Sequence, residues 1–428
     1  MTLIECFTQA HIDNVAACLR LKPEKVIFVG DAKAMKVPVK RYEKLFSRRS
    51  PNTVVEQCAV DEKDCGELQS ALTKLLLQAE ECVIDMTGGE AIVAMSVGLA
   101  LANLSEEKRK HIRVEWFDHA TGMVVDCIDN NRRKLAKAIH LTVEEMVALH
   151  GGALFPDAYQ LPEDCANKDL DRLWRVVSGM PKEWNEKVSL LKRFEKFSED
   201  KKTVHIVLQD IWASVPELQE KEDTVRQLID KLDKEGVVID HSSHNVLRYT
   251  YNSDFLRYCI HTQGNVLEIK TLLEGRTVRK NNGWLFGDSR MGVKIDWDGN
   301  IPSSKYAFSG TRNEIDVMLM QGTTPLFVSC KNGDVKTEEL YKLHTVATRF
   351  GGPYAKKMLV VSDLDCKDED AAKALVCRAW DMDIFMVPDA GELRPDQWQE
   401  IFKIPFSTDP KKAMEKFLRN NWLKEWGE

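Results

Sequence analysis

Short apolar runs alternate with longer amphipathic stretches over the first 135 residues. Each apolar run predicts a strand, and the stretch after it has the spacing of a helix. The predicted pairs are "LIECF" with 11–20, "KVIFVG" with 38–49, "TVVEQCAV" with 61–80 and "ECVIDM" with 90–104, followed by a closing hairpin of "IRVEWF" and "GMVVDCI". Because strands that alternate with helices join through right-handed crossovers, we predict a mostly parallel sheet and a Rossmann-like α/β domain at 1–135.

The pattern changes in the middle segment, 136–254. Helical periodicity dominates to about residue 234, and "LIDKLDKEGVVIDHSSHNVLRYTY" then predicts a helix stopped by Gly236 and two short strands. This order is typical of a winged helix. Such a unit binds DNA in some proteins and serves as a connector or dimer element in others, and the lack of a basic recognition helix favours the connector here.

Strands and helices alternate again over 255–428, which predicts a second α/β domain. Its β-rich runs are "GVKIDW", "NEIDVMLM", "LFVSCK", "KMLVVSD" and "DIFMVP". The helical rhythm of 255–273 precedes these runs, and "KTEELYKLHTVATRFGG" at 336–352 predicts a helix directly after the third.

Composition limits the classes of protein that fit this pattern. A chain of 428 residues with 43% hydrophobic and 30% charged residues fits a soluble protein of two or three domains. We expect a cytoplasmic location with reduced thiols, because no export signal, membrane span or Cys-x-x-Cys pair is visible. A net charge of -7 argues against a chain coated in nucleic acid, although it allows a local basic groove.

A glycine turn follows the fourth predicted strand, in the order Asp85, Met86, Thr87, Gly88, Gly89, Glu90. Glycines let backbone N–H groups approach a ligand, and the N-terminus of the following helix favours phosphate. The ends of the first two strands add Thr8, Gln9, His11, Lys33 and Lys36 at the same edge, where open α/β sheets bind ligands. A tight turn alone would also explain the two glycines, but three polar strand ends favour an anion site.

Two common nucleotide-binding motifs are missing from the sequence. There is no Gly-x-Gly-x-x-Gly fingerprint and no Gly-x-x-x-x-Gly-Lys-Ser/Thr loop. The anion is therefore expected to differ from a dinucleotide or a P-loop nucleotide.

The segment 312–331 places charged residues inside an apolar hairpin pattern. Alternate residues of a strand share a face, so Glu314 and Asp316 lie together. After the turn, Phe327, Ser329 and Lys331 also share a face, although parity does not fix the register between the two strands. Two carboxylates beside a lysine suit phosphodiester hydrolysis, because Mg²⁺ or Mn²⁺ binds such oxygens and an ammonium stabilises developing negative charge. A structural salt bridge is the alternative.

The order of helix with Glu268, strand with Asp316, strand with Lys331 and then helix resembles the PD-(D/E)xK nucleases. The resemblance implies that Glu268 is the helical acid, Asp316 the main metal ligand and Lys331 the catalytic lysine. The position two before the lysine is usually acidic and is Ser329 here. Glu314 could restore the charge, or the Cys330 carbonyl and water could complete the metal shell.

The strand followed by "MTGGE" resembles the CARF domains of CRISPR-associated proteins, with Glu90 departing from the usual Thr-Gly-Gly-Thr. Together the three segments resemble cyclic-oligoadenylate-activated CRISPR ancillary nucleases. That family implies a homodimer in antiviral defence, an effector such as cyclic tetra-adenylate, Mn²⁺ or Mg²⁺, and cleavage of DNA or RNA. A nucleotide-sensing regulator that binds nucleic acid without cutting it is the alternative, and an effector-independent repair or restriction nuclease is a third possibility. "RTVRKNNGW", with Arg276, Arg279 and Lys280, is a candidate substrate loop or a solvated basic turn.

Overall fold

A computed structural model describes residues 1–119, 121–134, 139–156, 167–261, 265–280, 283–299, 301, 312–333, 335–364 and 369–422. The amino-terminal domain contains a sheet in the order β3-β2-β1-β4-β5-β6-β7. Its elements are β1 (Thr2–Cys6), α1 (Asp13–Leu21), β2 (Lys25–Gly30), α2 (Ala32–Met35), α3 (Pro38–Arg49), β3 (Val54–Ala59), α4 (Cys65–Gln78), β4 (Cys82–Asp85), α5 (Ala91–Ala102), α6 (Glu106–Arg109), β5 (Ile112–Asp118), β6 (Met123–Asp126) and β7 (Arg132–Lys134).

The first five strands are parallel, and β6 and β7 are antiparallel to their neighbours. The predicted Rossmann-like sheet and the closing hairpin are therefore confirmed. Strand β7 was missed because its three residues are charged and carry no apolar alternation. The parallel order places the carboxyl ends of β1, β2 and β4 side by side, which is the edge that carries the candidate anion site.

The middle segment contains the predicted winged helix. Its elements are α7 (Val143–Leu149), β8 (Ala153–Leu154), α8 (Asn167–Ser178), α9 (Pro181–Glu195), β9 (Thr203–Val207), α10 (Leu208–Ser214), a 3-10 turn (Pro216–Lys221), α11 (Glu222–Lys234), β10 (Val238–Asp240) and β11 (Val246–Tyr251). Gly236, with a φ of 68°, follows α11, as expected of a residue that ends a helix in the left-handed region. The strands pair in the order β10-β11-β9.

Two strands that the sequence did not predict lie in the part of this segment, up to about residue 234, where helical periodicity dominates. Strand β9 alternates buried Val204 and Ile206 with exposed His205 and Val207, and it pairs with β11. Strand β8 is only two residues long and pairs with the carboxy-terminal sheet. Both strands are too short for periodicity to separate them from the helices around them.

The carboxy-terminal sheet has the order β18-β17-β16-β15-β14-β8 and is parallel from β16 to β18. The elements of this region are α12 (Asp254–His261), α13 (Asn265–Thr277), β12 (Arg279–Lys280), β13 (Gly283–Trp284), β14 (Asp288–Asp296), β15 (Arg312–Gln321), β16 (Thr324–Lys331), α14 (Thr337–Gly351), a 3-10 turn (Gly352–Tyr354), β17 (Lys356–Val361), α15 (Glu369–Asp381), β18 (Ile384–Val387), a 3-10 turn (Ala390–Glu392), α16 (Pro395–Lys403), a 3-10 turn (Ile404–Phe406) and α17 (Pro410–Asn421). All five predicted strands are confirmed, as is the helix after the third strand. The segment 255–273, which has helical periodicity, lies in the two helices α12 and α13, with 262–264 outside the described residues.

One apolar cluster joins the two α/β domains. It runs from Phe7 and Phe46 in the amino-terminal domain, through Val147 on α7, to Phe327 and Phe350 in the carboxy-terminal domain. A second cluster fills the space between the other face of the carboxy-terminal sheet and the winged helix. Because burial of apolar area is the main stabilising term, the outer domains are packed as one body through α7.

Candidate functional site

The candidate active site lies on the β15–β16 hairpin. Val317 pairs with Val328 and Met318 with Phe327 in antiparallel register. This register sets Asp316 on the same side of the hairpin as Ser329, and the Ser329 hydroxyl donates a hydrogen bond to Asp316 Oδ2 at 3.1 Å. The side chains that parity grouped on each strand therefore meet.

Asp316 also accepts a hydrogen bond from the backbone of the neighbouring strand. The Cys330 N–H donates to Asp316 Oδ2 at 2.6 Å. This carboxylate oxygen is fixed by a backbone donor and a side-chain donor, which holds it in one orientation. Asp316 is 17% exposed, so it is accessible at the edge of a buried sheet.

Lys331 lies between two carboxylates at the end of β16. Its Nζ is 3.8 Å from Asp316 Oδ2 and 3.3 Å from Glu339 Oε2. Burial alone would lower the pKa of Lys331, but attraction to Asp316 and Glu339 outweighs it and the pKa is raised. The ammonium is therefore charged at neutral pH.

Glu268 projects from α13 toward the same hairpin. Burial, followed by repulsion from Asp316 and Glu314, raises the pKa of Glu268 to about 8, although Lys331 opposes the shift. Glu314 is exposed at the rim. The site thus carries more negative charge than the lysine neutralises, and Glu268 keeps its proton at neutral pH.

The donor set fits a hard divalent cation. The cluster is rich in carboxylates, and Mg²⁺ commonly uses one or two of them while retaining several waters. Within the described ranges, no three His, Cys, Asp or Glu side chains are arranged to enclose a metal ion. Asp316 and Glu268, with the Cys330 carbonyl and water, are therefore the candidate ligands. The Cys330 thiol is buried, and its raised pKa keeps it protonated and unsuitable as a ligand.

The glycine turn of the amino-terminal domain has a more specific structure than its sequence indicated. Gly88 has a φ of 73°, and a Cβ atom there would collide with the Asp13 carboxylate. Thr87 is buried, and its hydroxyl donates to Asp85 Oδ1 at 2.6 Å and accepts from the Phe117 N–H at 2.9 Å. The Thr87 side chain therefore supports the turn, and the side chains of Asp13 and Thr8 lie closest to Gly88.

The other predicted ligand residues occupy different surroundings. Gln9, Lys33, Lys36 and Glu90 are exposed, whereas Met86 and Gly89 are partly buried. Glu90 lines a cavity of about 950 Å³ with Asp31, Asp61, Glu62, Lys63 and Glu67, so this part of the edge is mostly acidic.

His11 points away from this edge. Its Nδ1 lies 2.7 Å from the Tyr42 hydroxyl, and its ring packs edge-on against His150. Burial, followed by the nearby His150 and Arg41, lowers the pKa of His11 to about 4. The imidazole is therefore neutral and belongs to the contact between α3 and α7.

A series of side-chain contacts connects the glycine turn to the β15–β16 hairpin. Asp13, beneath Gly88, lies 3.0 Å from His119 Nε2, and both are buried. His119 Nδ1 is 2.9 Å from Thr323 Oγ1 in the β15–β16 turn, and its ring packs on Tyr354 after α14. His119 and Thr323 are 204 residues apart in sequence, so no local pattern could have predicted their contact.

Comparison with solved structures finds the same fold in other proteins. Protein VC1899 from Vibrio cholerae is 15% identical, with a TM-score of 0.65 and 97% of each chain covered. Can2 from Sulfobacillus thermosulfidooxidans, solved in complex with cyclic tetra-adenylate, is 16% identical, with a TM-score of 0.61, 95% of this chain covered and 97% of Can2. The arrangement of all three segments is therefore a shared architecture.

No protein-family model matches the sequence, and no curated protein matches it either. None of the helices in the described part of the chain has the length and apolar character needed to cross a membrane.

Proposed function

We propose that the protein is a metal-dependent nuclease that cyclic oligoadenylate activates. One observation carries the proposal: Asp316, Lys331 and Glu268 converge on one hairpin of a chain whose fold matches that of Can2, which was solved with cyclic tetra-adenylate. A structural ion pair would not need Glu268, whose pKa is raised first by burial and then by the negative charge of Asp316 and Glu314, which a cation would neutralise.

The proposed roles follow from the contacts. Asp316 and Glu268 would hold Mg²⁺ or Mn²⁺, which when bound polarises the phosphoryl group and promotes formation of hydroxide. Lys331 would stabilise the negative charge that develops on the phosphate oxygens. Glu268 must lose its proton to bind the cation, so metal binding and proton release are coupled.

The amino-terminal edge is the proposed effector site. The backbone beside Gly88, with Thr8 and the exposed Lys33, would contact the phosphates of a cyclic oligoadenylate. A ring-shaped ligand with internal symmetry suits a homodimer in which two copies present the same loops. Cyclic tetra-adenylate is therefore the first effector to test.

The test is cleavage by the purified protein. Labelled single-stranded and duplex DNA and RNA are incubated with Mn²⁺ or Mg²⁺, with and without cyclic tetra-adenylate, beside Asp316→Asn. We expect cleavage that needs both metal and effector and is absent in the variant. Effector binding and nucleic-acid binding without cleavage would instead support a regulator in which Ser329 marks an inactive site. Cleavage that ignores the effector would indicate a constitutive nuclease.

A further inference from the structure

The position two before the lysine lacks the acid that similar nucleases carry. Ser329 occupies it and donates to Asp316, so it adds no negative charge. The structure places a different carboxylate beside Lys331: Glu339, in the first turn of α14, whose Oε2 lies 3.3 Å from the lysine Nζ. Glu339 is closer to this ammonium than Asp316, which is 3.8 Å away.

We propose that Glu339 is a positioning residue that holds the Lys331 ammonium at the reacting phosphate. The inference rests on the proposed nuclease function and concerns the charge that Ser329 does not supply.

Asp316 cannot fully hold the ammonium and the metal at once. A divalent cation on Asp316 would neutralise the carboxylate that attracts Lys331 and would also repel the ammonium. Glu339 would then be the remaining carboxylate within ion-pair distance in the described part of the chain. Since lysine has a flexible four-carbon stem, loss of this contact would let its ammonium leave the reactive position.

The surroundings of Glu339 favour this role. Lys342 Nζ lies 2.6 Å from Glu339 Oε1, which leaves Oε2 directed at Lys331. Glu339 is 25% exposed and Lys331 is 31% exposed, so solvent screens their attraction less than it screens a surface pair.

A helix-stabilising role is the alternative, because any acid in the first turn interacts favourably with the helix dipole. Glu338 lies in the same turn of α14 and is exposed. Glu338→Gln therefore removes the same charge from the same helix end and is the matched control for Glu339→Gln.

The experiment compares the full-length wild type, Glu339→Gln and Glu338→Gln in Mn²⁺ with cyclic tetra-adenylate. Steady-state cleavage gives kcat and KM, and calorimetry gives the Mn²⁺ affinity. We expect Glu339→Gln to lower kcat by about 10- to 100-fold, as is typical when a group supporting a catalytic residue is removed. KM and the Mn²⁺ affinity should stay at the wild-type values, and Glu338→Gln should match the wild type throughout.

Four results would overturn the inference. Wild-type kcat in Glu339→Gln, or an equal loss in Glu338→Gln, would leave only a helix-stabilising acid. A fall in Mn²⁺ affinity would make Glu339 a metal ligand. A wild-type protein that never cleaves would contradict both the nuclease function and this inference. An active wild type together with a fully active Glu339→Gln would contradict the inference alone.

Discussion

Glu268→Gln should make the metal-free protein more stable at neutral pH while removing its activity. The side chain keeps its shape and loses a carboxylate whose charged form is disfavoured first by burial and then by repulsion from Asp316 and Glu314. Stability is therefore expected to rise when the functional acid is removed, which is the reverse of the usual effect of a partly buried substitution.

The magnitude follows from the pKa of this group. An acid whose folded pKa lies above its unfolded value destabilises the fold as pH rises between the two. With a folded pKa of about 8 against 4.5, the penalty is about 3 kcal/mol at pH 7 and under about 1 kcal/mol at pH 5. Because the unfolding entropy of a 428-residue chain is large, the variant should therefore melt roughly 3–4 °C above the wild type at pH 7 and almost with it at pH 5.

Thermal melting from pH 5 to 8 in EDTA measures this gap, with the exposed Glu338→Gln as control. Adding Mn²⁺ should raise the melting temperature of the wild type and leave the variant nearly unchanged, because binding to the folded state stabilises it. A gap that does not widen with pH, or a variant less stable at pH 7, would show that burial and the neighbouring carboxylates do not raise the pKa of Glu268. Equal stabilisation of both proteins by Mn²⁺ would remove Glu268 from the metal site.

Three further outcomes are expected. Asp316→Asn should lower cleavage by at least about 10³-fold, because it removes the charge that holds the metal. Calorimetry should show unchanged cyclic tetra-adenylate affinity, and retained cleavage would reject Asp316 as a metal ligand. Gly88→Ala should weaken effector affinity, because alanine is strained at positive φ and meets Asp13. The control Gly89→Ala should bind nearly as the wild type, and equal affinities of the two variants for the effector would place the ligand elsewhere. His119→Ala should bind effector but lose activation, since it breaks the contact with Thr323. The control is the exposed His111→Ala, and full activation in His119→Ala would exclude coupling through His119.

Periodicity predicted the sheets because their strands are long enough to show it. After their first lysines, the strands Lys25–Gly30 and Lys356–Val361 are continuous, buried and apolar, as expected of parallel strands covered on both faces. Strand Ala153–Leu154 could not be found in the same way, since its pairing with β14 depends on tertiary contact alone.

The site was predictable to the extent that it depends on strand parity. Asp316 and Ser329 could be placed on faces from alternation, and the structure supplied the register that brings them together. Glu339 could have been noticed as an acid in the first turn of the helix after Lys331, but its pairing depends on how α14 docks. Thr87 was predicted to bind the ligand, because the sequence does not show that its hydroxyl forms hydrogen bonds with Asp85 and Phe117 inside the domain.

The apolar cluster that passes through α7 affects whether the two α/β domains can be separated. Val147 is packed in the same core as Phe46 and Phe350, and all three are almost fully buried. Separating the chain near residue 135 would remove Phe46 from Val147 and Phe350 and expose apolar area on both pieces, at a cost of about 1.5–3 kcal/mol for each large side chain that becomes fully exposed. The amino-terminal and carboxy-terminal domains are therefore expected to aggregate when expressed apart. An amino-terminal domain transplanted onto another protein would need both faces of α7 redesigned with it.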